Sequence, residues 1–271
     1  MEPMITVALG AARKAALVLE KAIQHKGPLN QGAIAIESKG QNDFVTEVDR
    51  AVENEIIYNL RKAYPSHSFI GEENGEAIGE DPDSQWIIDP IDGTTNFING
   101  IPHFAISIAY TYKGKLEHAV ILDPSKQEEF TASRGKGAAL NGRRLRVTKR
   151  PNLEGALIST GIPFNGYALE NIDAYLAAMK EIVSQTSGVR RMGAASLDLA
   201  YVAAGRYDGF WEMNLKPWDI AAGILIIQEA GGFVSDFRGG NTMLENGNVV
   251  CGSAKVFKPL LQIVGKHLKD V

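Results

Sequence analysis

Cysteine is nearly absent: Cys251 is the single one in 271 residues. No intrachain disulfide can form, so a bridged framework is excluded and a reducing compartment suits the chain. Long apolar runs are missing as well. No stretch approaches the roughly 20 apolar residues that cross a bilayer as a helix. Arg13-Lys14 and Glu20-Lys21 interrupt the apolar N-terminal stretch that a secretion signal needs. A cytoplasmic location without a membrane partner is the expectation. Positive charge is not in excess. The net charge of −4 gives no general attraction to nucleic acid, and no direct DNA binding is expected. There is no Walker sequence. Gly135 and Gly137 do not replace it, because no strand-to-helix context follows them.

The chain is long enough for a substantial core, as one large domain or two intimate halves. Helical spacing of Ala8, Ala15, Leu19 and Ala22 predicts a helix from Met4 to Ile23, broken at Lys26-Gly27-Pro28. Ile34 to Glu37 reads as a short strand and Ser38 to Asn42 as a polar loop. Val48, Val52, Ile56, Leu60 and Ala63 line one face of a second helix, ended by Pro65, with Thr46 and Asp49 at its start in cap positions. Period-two segments follow: Phe104 to Tyr112, Leu116 to Leu122, Gln127 to Ser133 and Ala138 to Val147, an antiparallel meander. Arg150-Pro151-Asn152 is the best boundary, dividing an α+β half (1–150) from an α/β half (151–271). In the second half strands alternate with helices at Ile172 to Val183, Ser196 to Ala204, Ile220 to Ala230 and Val256 to Leu268.

The chemistry concentrates in Trp86-Ile87-Ile88-Asp89-Pro90-Ile91-Asp92-Gly93-Thr94-Thr95-Asn96. An apolar run ends in two carboxylates three residues apart. Anions that close repel unless a cation lies between them, and Mg2+ takes carboxylate, carbonyl and water oxygens. The plain alternative is two ordinary turns, since Asp-Pro and Asp-Gly are common turn dipeptides. Glu72-Glu73, after the short strand Ser68 to Gly71, and Asp219, ahead of a helix, offer further acids. Taken singly they read as a solvated loop and a helix N-cap. The N–H groups of Gly93 and Thr94 become a phosphate cradle if a helix begins there.

Glu72-Glu73, Asp89 to Asn96 and Trp218-Asp219-Ile220-Ala221-Ala222-Gly223, with Asn42 to Asp49 before them, resemble the signatures of the inositol monophosphatase family. The similarity runs nearly the whole chain in the expected order. His103 to Ala109 and Ala195 to Arg206 look like its bacterial extragenic-suppressor branch, whose members also act in antitermination of ribosomal RNA operons. The resemblance implies a mixed α and β fold, a layered αβαβα sandwich, with the site between the halves. It implies a Mg2+-dependent phosphatase acting on inositol 1-phosphate or a similar small monoester, inhibited by Li+. Glu72, Asp89 and the Ile91 carbonyl would hold one Mg2+; Asp89, Asp92 and Asp219 a second; Glu72 would share a third, weaker one. Thr94 would orient the attacking water and Asp49 take the threonine's proton, with Glu73 supporting the metal ligands. Asp92, Gly93, Thr94, Gly193, Ala194, Ala195 and Glu212 would face the substrate. Lys39 is one residue out of register with the family's loop lysine and is left out.

Other readings remain open. Superfamily relatives act on fructose bisphosphate or 3′-phosphoadenosine phosphate. A binding role with RNA polymerase or antitermination factors is a different class of function. The basic cluster Arg134, Lys136, Arg143, Arg144, Arg146, Lys149 and Arg150 suits RNA or an acidic partner, and also a solvated hairpin face. The family implies a homodimer, with the segment around Arg190 and Arg191 as its candidate surface.

Overall fold

In this computed structural model the described residues are 2–26, 36–40, 43–163 and 169–270, with residues 25–26, 36–40 and 43–46 described by backbone. The expected break at Gly27-Pro28, the strand start at Ile34, the loop residues Gln41 and Asn42 and the side chain of Lys39 lie outside the described residues.

The first half places α1 (Pro3–Lys26), β1 (Ile36–Gly40), β2 (Asp43–Thr46) and α2 (Glu47–Ala63) ahead of a run of strands. These are β3 (His67–Gly71), β4 (Gly75–Ala77), β5 (Asp81–Asp92), β6 (Ala105–Tyr112), β7 (Lys115–Asp123), β8 (Glu128–Ser133), β9 (Gly137–Leu140) and β10 (Arg143–Arg144), with the short helix α3 (Thr94–Ile98) after β5. The eight form one sheet in the order β10-β9-β8-β7-β6-β5-β3-β4. The β3–β5 pair is parallel and the others antiparallel.

The second half contributes β11 (Leu157–Thr160), α4 (Ile172–Val183), β12 (Gly188–Arg190), α5 (Ala195–Ala203), β13 (Gly209–Glu212), α6 (Pro217–Glu229), β14 (Phe233–Ser235), α7 (Met243–Asn246), β15 (Val249–Gly252) and α8 (Ala254–Leu268). Its five strands order as β12-β11-β13-β15-β14. Here β11 runs parallel to β12 and β13, while β15 is antiparallel to β13 and β14.

Alternation along the strands makes the layers. On one face of the large sheet, Trp86, Ile88, Ile106, Ile108 and Val120 pack on α1 and α2 through Ala12, Leu19, Val52, Ile56 and Leu60. On the other, small residues dominate: Ala105, Ala109, Ala119, Ala132 and Ala138 lie against α5 and α6. Phe210, Val249 and Cys251 of the small sheet close that middle layer. Ile158, Trp211 and Val250 face outward onto Tyr175, Ile182, Leu260 and Val264 of α4 and α8. The order of layers is αβαβα. Between the sheets, Asp208 accepts hydrogen bonds from the Thr148 hydroxyl (2.6 Å), Arg150 Nε (2.8 Å) and the Leu157 N–H (2.9 Å), tying down the crossing segment.

Two expectations are corrected. Ser38 to Gly40 is strand, not loop, because β1 and β2 form a two-stranded ribbon with Ser38 opposite Phe44. Thr46 ends β2, directly ahead of α2. The strand expected from Ala138 to Val147 breaks at Asn141-Gly142, where both residues have positive φ (48° and 76°); that dipeptide suits a tight hairpin. Within the basic cluster, Arg134 pairs with Glu117 (3.2 Å) and Arg150 with Asp208 (2.8 Å).

Candidate active site

Strand β5 delivers two acids because its pairing fails in mid-course. Asp89 lies opposite Ser107 and Asp92 opposite Ala105, so the register shifts between them. Pro90 has no N–H to give the ladder, which places the irregularity there. Asp89 is 1% exposed, and one of its oxygens accepts the Ile91 N–H at 3.0 Å. Burial first, then the charges of Glu72, Asp92, Asp219 and Asp49, holds its carboxyl well above the usual range. All four charges are of one sign.

Each neighbouring acid arrives on its own element. Asp219 is the third residue of α6 and accepts the Lys216 N–H at 2.7 Å. It is therefore not the N-cap, although it closes the first turn. Burial and then Asp92 raise its pKa. Asp92 turns both oxygens to the start of α5: the Ala195 N–H (3.2 Å), the Ser196 N–H (2.7 Å) and the Ser196 hydroxyl. Burial raises its pKa and these bonds oppose the rise. Asp49 is buried in the first turn of α2. The Thr94 hydroxyl lies 3.3 Å from Asp49 Oδ1 and 2.9 Å from the Ile91 carbonyl oxygen, so one hydroxyl touches both.

Glu72 and Glu73 occupy the turn between β3 and β4, partly buried. The wholly buried Glu53 of α2 holds this turn, accepting the N–H groups of Glu73 (2.9 Å) and Asn74 (2.8 Å). A Cβ at Gly71 would overlap the Glu53 carboxylate, so the glycine lets the two elements close. Exchanging Glu53 for Gln sets an amide NH2 against one of these donors. Glu53→Gln should lower unfolding stability by about 1–3 kcal/mol, the cost of a buried polar group left unmatched. Urea unfolding measures it, and an unchanged midpoint would refute the anchoring role.

A helix does begin after Gly93, as its phosphate-cradle reading requires: α3 starts at Thr94, with Gly93 at φ 90° as its N-cap. A Cβ on Gly93 would come within 3.2 Å of Ala194 Cβ and of the Gly193 oxygen. The Asp89 to Asn96 segment and the 193–195 segment therefore meet. Asn96 fastens them, its amide donating to the carbonyls of His103 (2.8 Å), Met192 (2.9 Å) and, more weakly, Gly193 (3.4 Å). Glu212, at the end of β13, belongs to the same place. Its carboxyl is pushed up to about 8 by burial and then by Asp92, against the opposing charge of Arg191 and a bond from the Gly161 N–H.

Among the described residues, no three His, Cys, Asp or Glu side chains are oriented to enclose a metal ion. One oxygen each of Asp89 and Asp219, and both of Asp92, are turned to hydrogen-bond donors instead. The donor set is nonetheless that of a hard cation: carboxylates and a strand carbonyl, gathered in one place.

The pattern of the inositol monophosphatase family matches residues 1–268. The chain belongs to this family. Within it the chain lies on the branch of proteins named Nus factor SuhB. The relative of that name from Pseudomonas aeruginosa is 57% identical over 99% of this chain and 98% of its own length. That from Escherichia coli K12 is 48% identical over the whole chain and 98% of its own. The crystal structure of the extragenic suppressor protein SuhB from Bartonella henselae superposes with a TM-score of 0.92, at 43% identity, covering 98% of this chain and 100% of that one. The inositol monophosphatase from Anabaena gives 0.82 at 31% identity, covering 98% of each. The fold is the family's two-sheet mixed α and β architecture.

Sequence reasoning named no role for Glu53, Asn96, Ser196 or Gly161. A signal existed for Ser196, a hydroxyl residue opening an apolar helical run. Glu53 and Asn96 carried none, since their partners lie far away along the chain.

Proposed function

We propose that the chain is a Mg2+-dependent phosphate monoester hydrolase, taking inositol 1-phosphate or a similar small polyol phosphate to the free alcohol and phosphate. The observation that carries this is the convergence of four like charges on buried Asp89. A fold that tolerates such repulsion is arranged to receive cations in that space. Glu72, Asp89, the Ile91 carbonyl, Asp92 and Asp219 would hold two or three Mg2+ ions. When bound, Mg2+ neutralises the phosphate and makes a coordinated water more acidic.

The chain's own residues supply the rest. Thr94 presents a hydroxyl that donates to one partner while accepting from a water. Asp49, within reach of that hydroxyl, takes its proton. Glu73 keeps the Glu72 turn in place through the Glu53 bond. The N–H groups of Gly93 and Thr94 face a phosphate, while Gly193, Ala194, Ala195 and Glu212 border the alcohol.

The test is a panel of phosphate esters assayed with EDTA and with Mg2+. Expected is Mg2+-dependent release from inositol 1-phosphate and its loss at tens of millimolar Li+. Release that ignores Mg2+, or full activity in Li+, counts against the reading. Preference for fructose bisphosphate or 3′-phosphoadenosine phosphate would move the substrate and keep the chemistry.

A binding role beside catalysis is favoured by the name that the relatives share, Nus factor. Partners in that reading are antitermination factors and RNA polymerase, met by the chain as a homodimer. Capture of those factors by a metal-site variant separates this role from hydrolysis.

A further inference from the structure

Strands β11 and β13 run parallel, with Thr160 opposite Trp211. The next residues, Gly161 and Glu212, therefore stand side by side at the carboxyl ends of the pair, where open α/β sheets bind their ligands. Gly161 has no positive φ, so its backbone conformation asks for no glycine. Space does. A Cβ at Gly161 would overlap the carboxylate carbon and both oxygens of Glu212. The Gly161 N–H donates to that carboxylate.

The Gly161 peptide is itself fixed from behind. The Tyr175 hydroxyl donates to its carbonyl. Tyr175 is wholly buried against Trp211, and the Thr160 hydroxyl, beside that tyrosine, donates to the Trp211 carbonyl at 2.6 Å. A rigid platform thus carries an empty Cβ position, and a carboxylate lies in it.

We infer that Gly161 is a positioning residue for Glu212: its missing side chain forms the seat of that carboxylate, and so selects phosphate esters whose alcohol carries a hydroxyl able to donate to it. The inference rests on the hydrolase reading for its substrate and on packing alone for its seat. An ester without such a hydroxyl gains nothing from the seat.

Four proteins decide it: the parent, Gly161→Ala, Glu212→Ala and the double variant. Each is melted and assayed with Mg2+ on inositol 1-phosphate and on p-nitrophenyl phosphate, which has no alcohol hydroxyl. Gly161→Ala should lower the melting temperature. It should also lower the kcat/KM ratio of inositol 1-phosphate to p-nitrophenyl phosphate by about tenfold or more, the range of one hydrogen bond to a charged group. Glu212→Ala should lower the ratio similarly. With that carboxylate gone, adding Gly161→Ala should change neither quantity.

If Gly161→Ala does not fold, a folded double variant supports the seat and an unfolded one overturns it. An equal melting loss from Gly161→Ala in both backgrounds overturns it too, as does an unchanged ratio in an active Gly161→Ala. Should the parent release phosphate from neither ester, the hydrolase reading fails, and the melting cycle still decides the seat.

Discussion

Thr94→Ala and Asp49→Asn should each reduce kcat by about 10²–10⁴-fold, the usual worth of positioned proton transfer, while Mg2+ still binds. The structure brings the two side chains within reach of each other. The Thr94 hydroxyl reaches both Asp49, at 3.3 Å, and the Ile91 carbonyl, at 2.9 Å. Asp49 is buried at the start of α2, so its carboxylate is oriented by the fold. If both serve one relay, as proposed, the double variant should be little worse than either single one. Phosphate release at saturating Mg2+ gives kcat, and the Mg2+-induced melting shift reports binding independently. A variant that turned over normally at saturating metal but had lost the shift would assign these residues to the metal instead.

Mg2+ at about a hundred times its Kd should stabilise the parent by roughly 2.7 kcal/mol, and Asp89→Asn should abolish most of that gain. In EDTA the same variant should melt no lower than the parent. The amide oxygen can still accept the Ile91 N–H, while a carboxyl whose ionisation burial and four neighbouring acids oppose is removed. Sequence alone would have made Asp92→Asn the equivalent experiment. The structure makes it a poor one, because both Asp92 oxygens accept donors from α5, and an amide NH2 would oppose one of them. The acids also fix the sign of the pH response without metal. Glu212, raised to about 8, binds its proton in the native state before the unfolded chain does. The metal-free fold should therefore lose stability as pH rises from the ordinary carboxyl range toward 8. A parent whose melting ignores Mg2+ across the millimolar range would remove the metal from the proposal.

What could be read beforehand follows from what is local. Period-two alternation exposed the meander, because one set of side chains meets α1 and α2 and the other meets α5 and α6. Helical spacing exposed α2 for the same reason. Asp89-Pro90-Ile91-Asp92 was legible because a proline and two acids within four residues have few uses. The β1–β2 ribbon was only partly legible: the strand expected from Ile34 to Glu37 overlaps β1 at Ile36 and Glu37, while two short strands paired with each other show no sustained apolar alternation. Asn141-Gly142 carries a turn signal of its own, set inside a run that otherwise alternates as one strand. Glu53 looked like a polar position on a surface helix, yet it is buried beneath the Glu72 turn. Asn96 and Gly161 owe their meaning to the Met192 carbonyl and the Glu212 carboxylate, which neither spacing nor propensity locates.

The alanine-lined face of the large sheet has a consequence for how the chain is made. Its last strand is complete at Arg144, but of the two helices that cover it α5 begins only at Ala195 and α6 at Pro217. At the usual about 5–20 residues per second, a ribosome leaves that face bare for several seconds. Nascent chains at this stage should recruit chaperones, and synthesis stalled between Arg144 and Ala195 should yield aggregates. The acids of β5 share the wait, since Asp219 emerges with α6. The protein becomes sticky before it becomes capable, and both conditions end with the docking of α6.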